Sequence, residues 1–256
     1  MMKEINEGYV KTEIVGHVSI IEFFHPQSNS LPGKILQALA EAIKKEAENK
    51  STKVIVLQSA GSKAFCAGAS FDELMQINNE EEGLHFFSGF ANVINAIRTA
   101  PKFVIAKIQG KCVGGGVGLA AAADYSIALD KADIKLSELA VGIGPFVVGP
   151  AVERKVGTSG FTSLSIDATS WRSASWAYEK GLFAELHDSM EKVNEAVHNL
   201  IQTLSSSSPD AMKALKTVFW EGTENWNDLL LERAAISGKL ILSDFSKNAI
   251  SAFKKK

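Results

Sequence analysis

Between residues 110 and 118 the chain places glycine at Gly110, Gly114, Gly115, Gly116 and Gly118. An apolar run, Phe103 to Ile108, leads in, and Leu119-Ala120-Ala121-Ala122-Ala123 leads out. Glycine this dense is conformationally costly unless the backbone must reach positive φ or approach something closely. Alanine is the strongest helix former. The pattern predicts a buried strand, a bare-backbone turn and a helix N-terminus whose free N–H groups face an acceptor.

Strand and helix signals alternate up to about Phe183. Tyr9 to Val15 and Val18 to Phe24 read as a hairpin closed by Gly16-His17. Leu31 to Lys50, with Pro32 near its start, has helical spacing, as has Glu80 to Thr99 up to the stop at Pro101. Lys53 to Leu57 and Phe103 to Ile108 are continuous apolar runs of the buried parallel-strand type. Ser59 to Ala69 reads as a small-residue loop before a helix at Phe71 to Ile77. Tyr125 to Leu129 and Ile134 to Leu136 are further strands. Helices follow at Val148 to Val156, Ser159 to Asp167 and Ser173 to Lys180. From Ser189 only helices are predicted: Met190 to Leu204, Pro209 to Trp220, Trp226 to Leu242 and Asp244 to Lys254. The ordering predicts an α/β core over residues 1–188 and a C-terminal helical region over 189–256. No internal repeat is visible in the sequence.

The 256 residues are enough for a sizeable core. The net charge of −2 argues against nucleic acid as a partner. Cys66 and Cys112 make neither a disulfide framework nor a metal-ligand pattern, and His17, His85, His187 and His198 show no ligand spacing. No signal core or membrane-length apolar run is present, so a soluble cytoplasmic protein is expected.

Gly116-Val117-Gly118-Leu119-Ala120-Ala121 matches the dinucleotide pattern G-x-G-x-x-A after a strand. Only Leu119 to Asp124 separates the glycines from the next strand, too little for the crossover helix of a nicotinamide-dependent oxidoreductase. A phosphate loop fails because no Gly-Lys-Ser/Thr follows. A tight packing turn remains as a third reading. A second small-residue stretch, Lys63-Ala64-Phe65-Cys66-Ala67-Gly68-Ala69-Ser70-Phe71, also follows a buried strand. Two such turns on neighbouring parallel strands can aim two N–H groups at one point, the arrangement of an oxyanion hole.

These stretches resemble the enoyl-CoA hydratase/isomerase (crotonase) superfamily over most of the chain. Phe24-His25-Pro26-Gln27-Ser28-Asn29-Ser30-Leu31 is similar to its N-terminal turn, and Ala64-Phe65-Cys66-Ala67-Gly68-Ala69 to its first oxyanion motif. Ile105 to Gly110 into Gly114-Gly115-Gly116 resembles its second. Leu136-Ser137-Glu138-Leu139-Ala140-Val141-Gly142 resembles its P-E-x-x-x-G segment, and Ala252-Phe253-Lys254 its C-terminal ending. The resemblance implies a ββα spiral core with a C-terminal helical trimerisation region, and homotrimers pairing into hexamers. It implies an acyl-CoA thioester substrate with no separate cofactor or metal, and neither nucleic acid nor membrane as partner. The N–H groups of Ala69 and Gly115 would grip the thioester oxygen. Ala67, Ser70 and Phe71 would line the site for the adenine and pantetheine of coenzyme A, with Gly114 also at the substrate site, and His25 with Lys254, Lys255 or Lys256 would help hold the coenzyme A phosphates.

The resemblance also assigns the acid/base chemistry. Hydratases of the family use two glutamates; Glu138 matches one, whereas the other position is Gly118. One glutamate still suffices to remove a proton and return it elsewhere when the enolate is stabilised. Glu138 is therefore the expected general acid/base, its carboxyl pKa raised by the apolar Leu136, Leu139, Val141 and Phe146. The competing structural role for Glu138 is to cap the short helix after Ser137. Hydration and double-bond isomerisation of an enoyl-CoA are both compatible with one acid, and an acyl-CoA binder without hydratase activity is the alternative. Cys66 reads as a small buried hydrophobe.

Overall fold

The computed structural model describes residues 8–254, and the side chains of residues 8–252. Strands β1 (Tyr9–Val15) and β2 (Val18–Phe24) form the expected antiparallel hairpin. Parallel strands β3 (Val54–Ser59), β5 (Phe103–Ile108), β7 (Tyr125–Leu129) and β9 (Glu185–His187) extend it to a six-stranded sheet ordered β1-β2-β3-β5-β7-β9. A second, parallel sheet holds β4 (Ala64–Cys66), β6 (Lys111–Val113) and β8 (Ile134–Lys135) in the order β4-β6-β8.

The chain alternates between these sheets. Each of β3, β5 and β7 runs up the large sheet, and the following strand crosses to the small one. A helix then returns: α2 (Phe71–Leu74) and α3 (Glu80–Thr99), then α4 (Gly115–Ala122), then α5 (Gly149–Ile166). An earlier turn is abbreviated. After β2 only Leu31 reaches the small-sheet side, as a parallel bridge to Ala69, before α1 (Gly33–Glu48). The repeat is thus ββα in three dimensions, although the sequence shows none.

Both faces of the large sheet are covered, which explains its continuous apolar strands. Ile55, Leu57, Val104 and Ala106 point into the main core with α1, α3 and α4. Their neighbours Val54, Val56, Phe103 and Ile105 point the other way, as the two-residue strand period requires. There they meet Val193 and Val197 of α7 (Met190–Ser205) and Met212 of α8 (Pro209–Phe219). Two helices complete the described chain, α9 (Trp226–Leu240) and α10 (Asp244–Lys254), and α6 (Ala174–Glu179) precedes β9.

Several sequence expectations need correction. Ser59 to Ala69 is no plain loop, because β4 lies within it and pairs with β6. Part of the glycine stretch is strand, and α4 begins at Gly115 inside the glycines, not after them. The predicted helix at Phe71 to Ile77 closes after four residues. β9 lies where no strand was expected. The expected break at Gly157 is present as a kink (φ 72°, ψ 165°) within α5.

Candidate active site

The small sheet brings the two small-residue turns together. β4 and β6 are parallel neighbours, so Ala67-Gly68-Ala69 and Gly114-Gly115 leave the same edge. Gly68 (φ 86°) packs so tightly that a Cβ would sit 2.9 Å from Val113 O and 3.4 Å from Gly115 N. Gly114 needs φ 51°, ψ −116°, and its N–H donates to Lys135 O at 2.8 Å. A Cβ on Gly115 would overlap the Phe90 ring, and one on Gly116 would overlap Cys66 O. These are positions where only glycine permits the approach.

The backbone directions follow from the pairing. Leu31 N–H donates to Gly68 O (2.7 Å), and Leu31 O accepts from Ser70 N–H (3.2 Å). In a parallel bridge of this kind the intervening residue, Ala69, turns its own N–H to the opposite side. Gly115 is the first residue of α4, so its N–H has no intrahelical acceptor. Ala69 and Gly115 both line one pocket.

Glu138 lines that same pocket, between Ser137 and a 3₁₀ turn over Leu139–Val141. The turn is held without it: Glu138 makes no side-chain cap bond, and its main-chain O accepts from Val141 N–H (3.1 Å) and Ile143 N–H (3.0 Å). The capping role for the side chain is therefore absent. The residue keeps some exposure, but its Oε2 is inaccessible and has no hydrogen-bond partner among the described residues. Acidity follows the carboxyl atoms, and their burial pushes the pKa up to about 7, with the residue's own backbone N–H pulling weakly the other way. A Cβ on Gly114 would lie 2.9 Å from Glu138 Oε1, which places the carboxyl directly beside the second turn.

The walls are only partly those expected. Val141 and Phe146 line the pocket, but Leu139 is 51% exposed and Leu136 is not part of the lining. Phe87 and Phe90 of α3, Val148 and Ser237 of α9 also line it. Phe87 and Phe90 carry helical spacing, which reads as ordinary core. Ser237 lies about a hundred residues from Glu138 with no local motif, so nothing in the sequence marks it. Beside the pocket, Val148 fills the space where a side chain at Gly118 would stand.

Other predicted residues are dispersed. Ala67, Phe71 and Gly114 line the pocket. Ser70 is buried, with its hydroxyl capping α2 by accepting from Glu73 N–H at 3.4 Å. His25 lies outside the lining: its N–H donates to Asn29 Oδ1 (2.9 Å), Nδ1 is 3.2 Å from Ser30 Oγ, and burial lowers its pKa. The Lys254 side chain, Lys255 and Lys256 lie outside the described residues. Burial pushes the Cys66 thiol up to about 12, so it supplies no thiolate. Among the described residues no group of three or more His, Cys, Asp or Glu could hold a metal, and no helix is long and apolar enough to cross a membrane.

A ββα spiral and two converging glycine turns beside one buried carboxyl define a crotonase-type α/β protein. The chain belongs to the enoyl-CoA hydratase/isomerase family, whose model matches residues 13–256. An enoyl-CoA hydratase structure from Bacillus halodurans superposes with a TM-score of 0.88 at 24% identity, covering 95% of this chain and 99% of that one. The enoyl-CoA hydratase structure from Bacillus anthracis gives a TM-score of 0.77 at 27% identity, covering 96% of each chain. Methylglutaconyl-CoA hydratase of Rattus norvegicus is 35% identical over 117 residues, covering 46% of this chain and 37% of that protein.

Proposed function

We propose that this chain moves a proton on an enoyl-CoA thioester, shifting its double bond. The observation that carries this reading is a single buried carboxyl, with a pKa near neutrality, lining one apolar pocket with the two glycine-rich turns and lying beside the second of them. The Ala69 and Gly115 N–H groups hold the thioester oxygen. Glu138 as carboxylate takes a proton from C2 of a 3-enoyl-CoA, and the electron pair moves onto that oxygen as a dienolate. The neutral Glu138 then returns the proton at C4, giving the 2-enoyl-CoA with nothing gained or lost. A pKa near working pH suits a group that must act both as base and as acid. Paired N–H donors in a dry site stabilise the developing charge strongly.

Gly118 supplies no second acid, and Val148 fills the adjoining space, which supports proton shuttling by one group. Hydration of a 2-enoyl-CoA is the second reading, favoured by the hydratase names of the relatives. Ala67, Phe71 and Gly114 line the acyl-thioester end, and His25, Ser70 and Lys254 belong to the coenzyme A end. Residues 189–256 act as the oligomerisation region of a homotrimer or hexamer. Exposed Val218, Phe219, Leu231 and Phe245 support this assembly, and sedimentation measures it.

Assays with a 3-enoyl-CoA and with crotonyl-CoA separate the two reactions. Glu138→Gln should lower kcat by about 10²–10⁴-fold while leaving the acyl-CoA Kd nearly unchanged. Wild-type turnover in that variant would remove Glu138 from the mechanism. Tight acyl-CoA binding with no turnover of either thioester would leave only a binding protein.

A further inference from the structure

We infer that the pocket admits only short, uncharged acyl groups of about four carbons, and that Phe146 and Val148 set the limit. This rests on the acyl-thioester reading above and specifies its substrate class. The pocket has a cavity volume of about 50 Å³. An apolar cavity of about 150 Å³ holds one benzene, so this space takes only a few carbon atoms. C2, C3 and C4 of a butenoyl group fill it.

The walls have little freedom to retreat. Phe87 and Phe90 close one side from α3, both buried in the main core, and the Phe90 ring presses on the bare Gly115 backbone. On the other side Val148 packs into the place left by Gly118, and every residue of α4 behind it is buried. The Phe146 ring lies against Gly144, where a Cβ would come within 2.5 Å of it. Interiors packed this closely accommodate extra methylenes only with strain. Charge restricts the acyl group as well. Glu138 is the one ionisable residue among the lining, and no Lys, Arg or His of the described residues accompanies it. A carboxylate on the acyl tail would be desolvated beside Glu138 without a counter-ion.

Titration calorimetry on the full chain with butyryl-CoA, octanoyl-CoA and glutaryl-CoA tests this, since these saturated thioesters carry no double bond to shift. Transfer of extra methylenes out of water would by itself favour octanoyl-CoA, so the reverse order is diagnostic. Octanoyl-CoA and glutaryl-CoA should each bind at least about 10-fold more weakly than butyryl-CoA, the scale of discrimination expected of an apolar pocket. Val148→Ala and Phe146→Ala should narrow the gap between octanoyl-CoA and butyryl-CoA. If wild-type protein binds octanoyl-CoA as tightly as butyryl-CoA, the size limit is overturned; equal binding of glutaryl-CoA overturns the charge limit. Should the variants fail to fold, the wild-type comparison alone decides both. Binding of none of the three thioesters would instead overturn the acyl-CoA reading itself.

Discussion

At the scale of the residue, Glu138 does two opposed things. Its carboxyl is neutral when the chain folds at low pH, and deprotonation inside the pocket works against the fold. The folded pKa of about 7 lies above the ordinary value of 4.5. The unfolded chain therefore loses its proton first as pH rises, and the contribution of Glu138 is fully present below 4.5 and lost through 7. The shift corresponds to about 3 kcal/mol at 1.36 kcal/mol per pKa unit. Urea unfolding of wild-type protein should show stability falling across that window from this group, and Glu138→Gln should flatten the slope. Parallel pH dependences in the two proteins would show that the carboxyl is solvated. Proton abstraction in the proposed reaction needs the carboxylate, so the same titration that weakens the fold would generate the proposed base.

Among the elements, α8 is tied to the end of α4 by one buried ion pair. Lys216 and Asp124 are bonded to each other with side chains 3% and 6% exposed. Asp124 also accepts from Val104 N–H (2.8 Å) and Trp220 Nε1 (2.9 Å), while Lys216 donates to Ile97 O (2.9 Å). Burial depresses the Lys216 pKa, against the opposing pull of Asp124. Removing one member of a buried pair strands the other charge, typically at about 3–5 kcal/mol. Lys216→Met should lower unfolding stability by that order, whereas Lys192→Met on α7, at an exposed pair with Asp188, should leave the midpoint almost unmoved. Equal responses would mean the Asp124 pair is hydrated. Neither partner of this link was legible, because nothing local connects residue 124 with residue 216. The elements themselves were more readable where one period dominates: α3, β5, β7 and the β1–β2 hairpin have the predicted bounds. The three-residue strands β4, β6 and β9 were hidden, since so short a run carries no period and is defined only by its partner. For the site, the glycine turns were visible through their glycine density, and Glu138 through the resemblance of its segment to the family's P-E-x-x-x-G motif. Phe90, Val148 and Ser237 were not, because their part in the pocket comes entirely from tertiary packing.

Over the whole molecule, the C-terminal helices complete the pocket as well as extending the chain. α9 crosses α3 at a pair of glycines: a Cβ on Gly83 would come within 2.6 Å of Gly238 Cα, and one on Gly238 within 2.7 Å of Gly83 C. Both obstacles are backbone, so no side-chain rotation relieves them, and the two axes can approach this closely only with glycine at both positions. α9 also brings Ser237 to the pocket, next to Gly238 in sequence, while α3 contributes Phe87 and Phe90 one and two turns beyond Gly83. The crossing therefore sets how far one wall stands from the others. Gly238→Ala should push the helices apart and cost about 1–3 kcal/mol as overpacking. The displaced wall should also weaken discrimination between butyryl-CoA and octanoyl-CoA, with the larger change in octanoyl binding. A surface helix position such as Lys239→Ala supplies the control, because that side chain is not part of the lining. Calorimetry on both variants decides the matter: if Gly238→Ala loses stability yet keeps the wild-type acyl preference, the crossing supports the fold without setting the depth of the pocket.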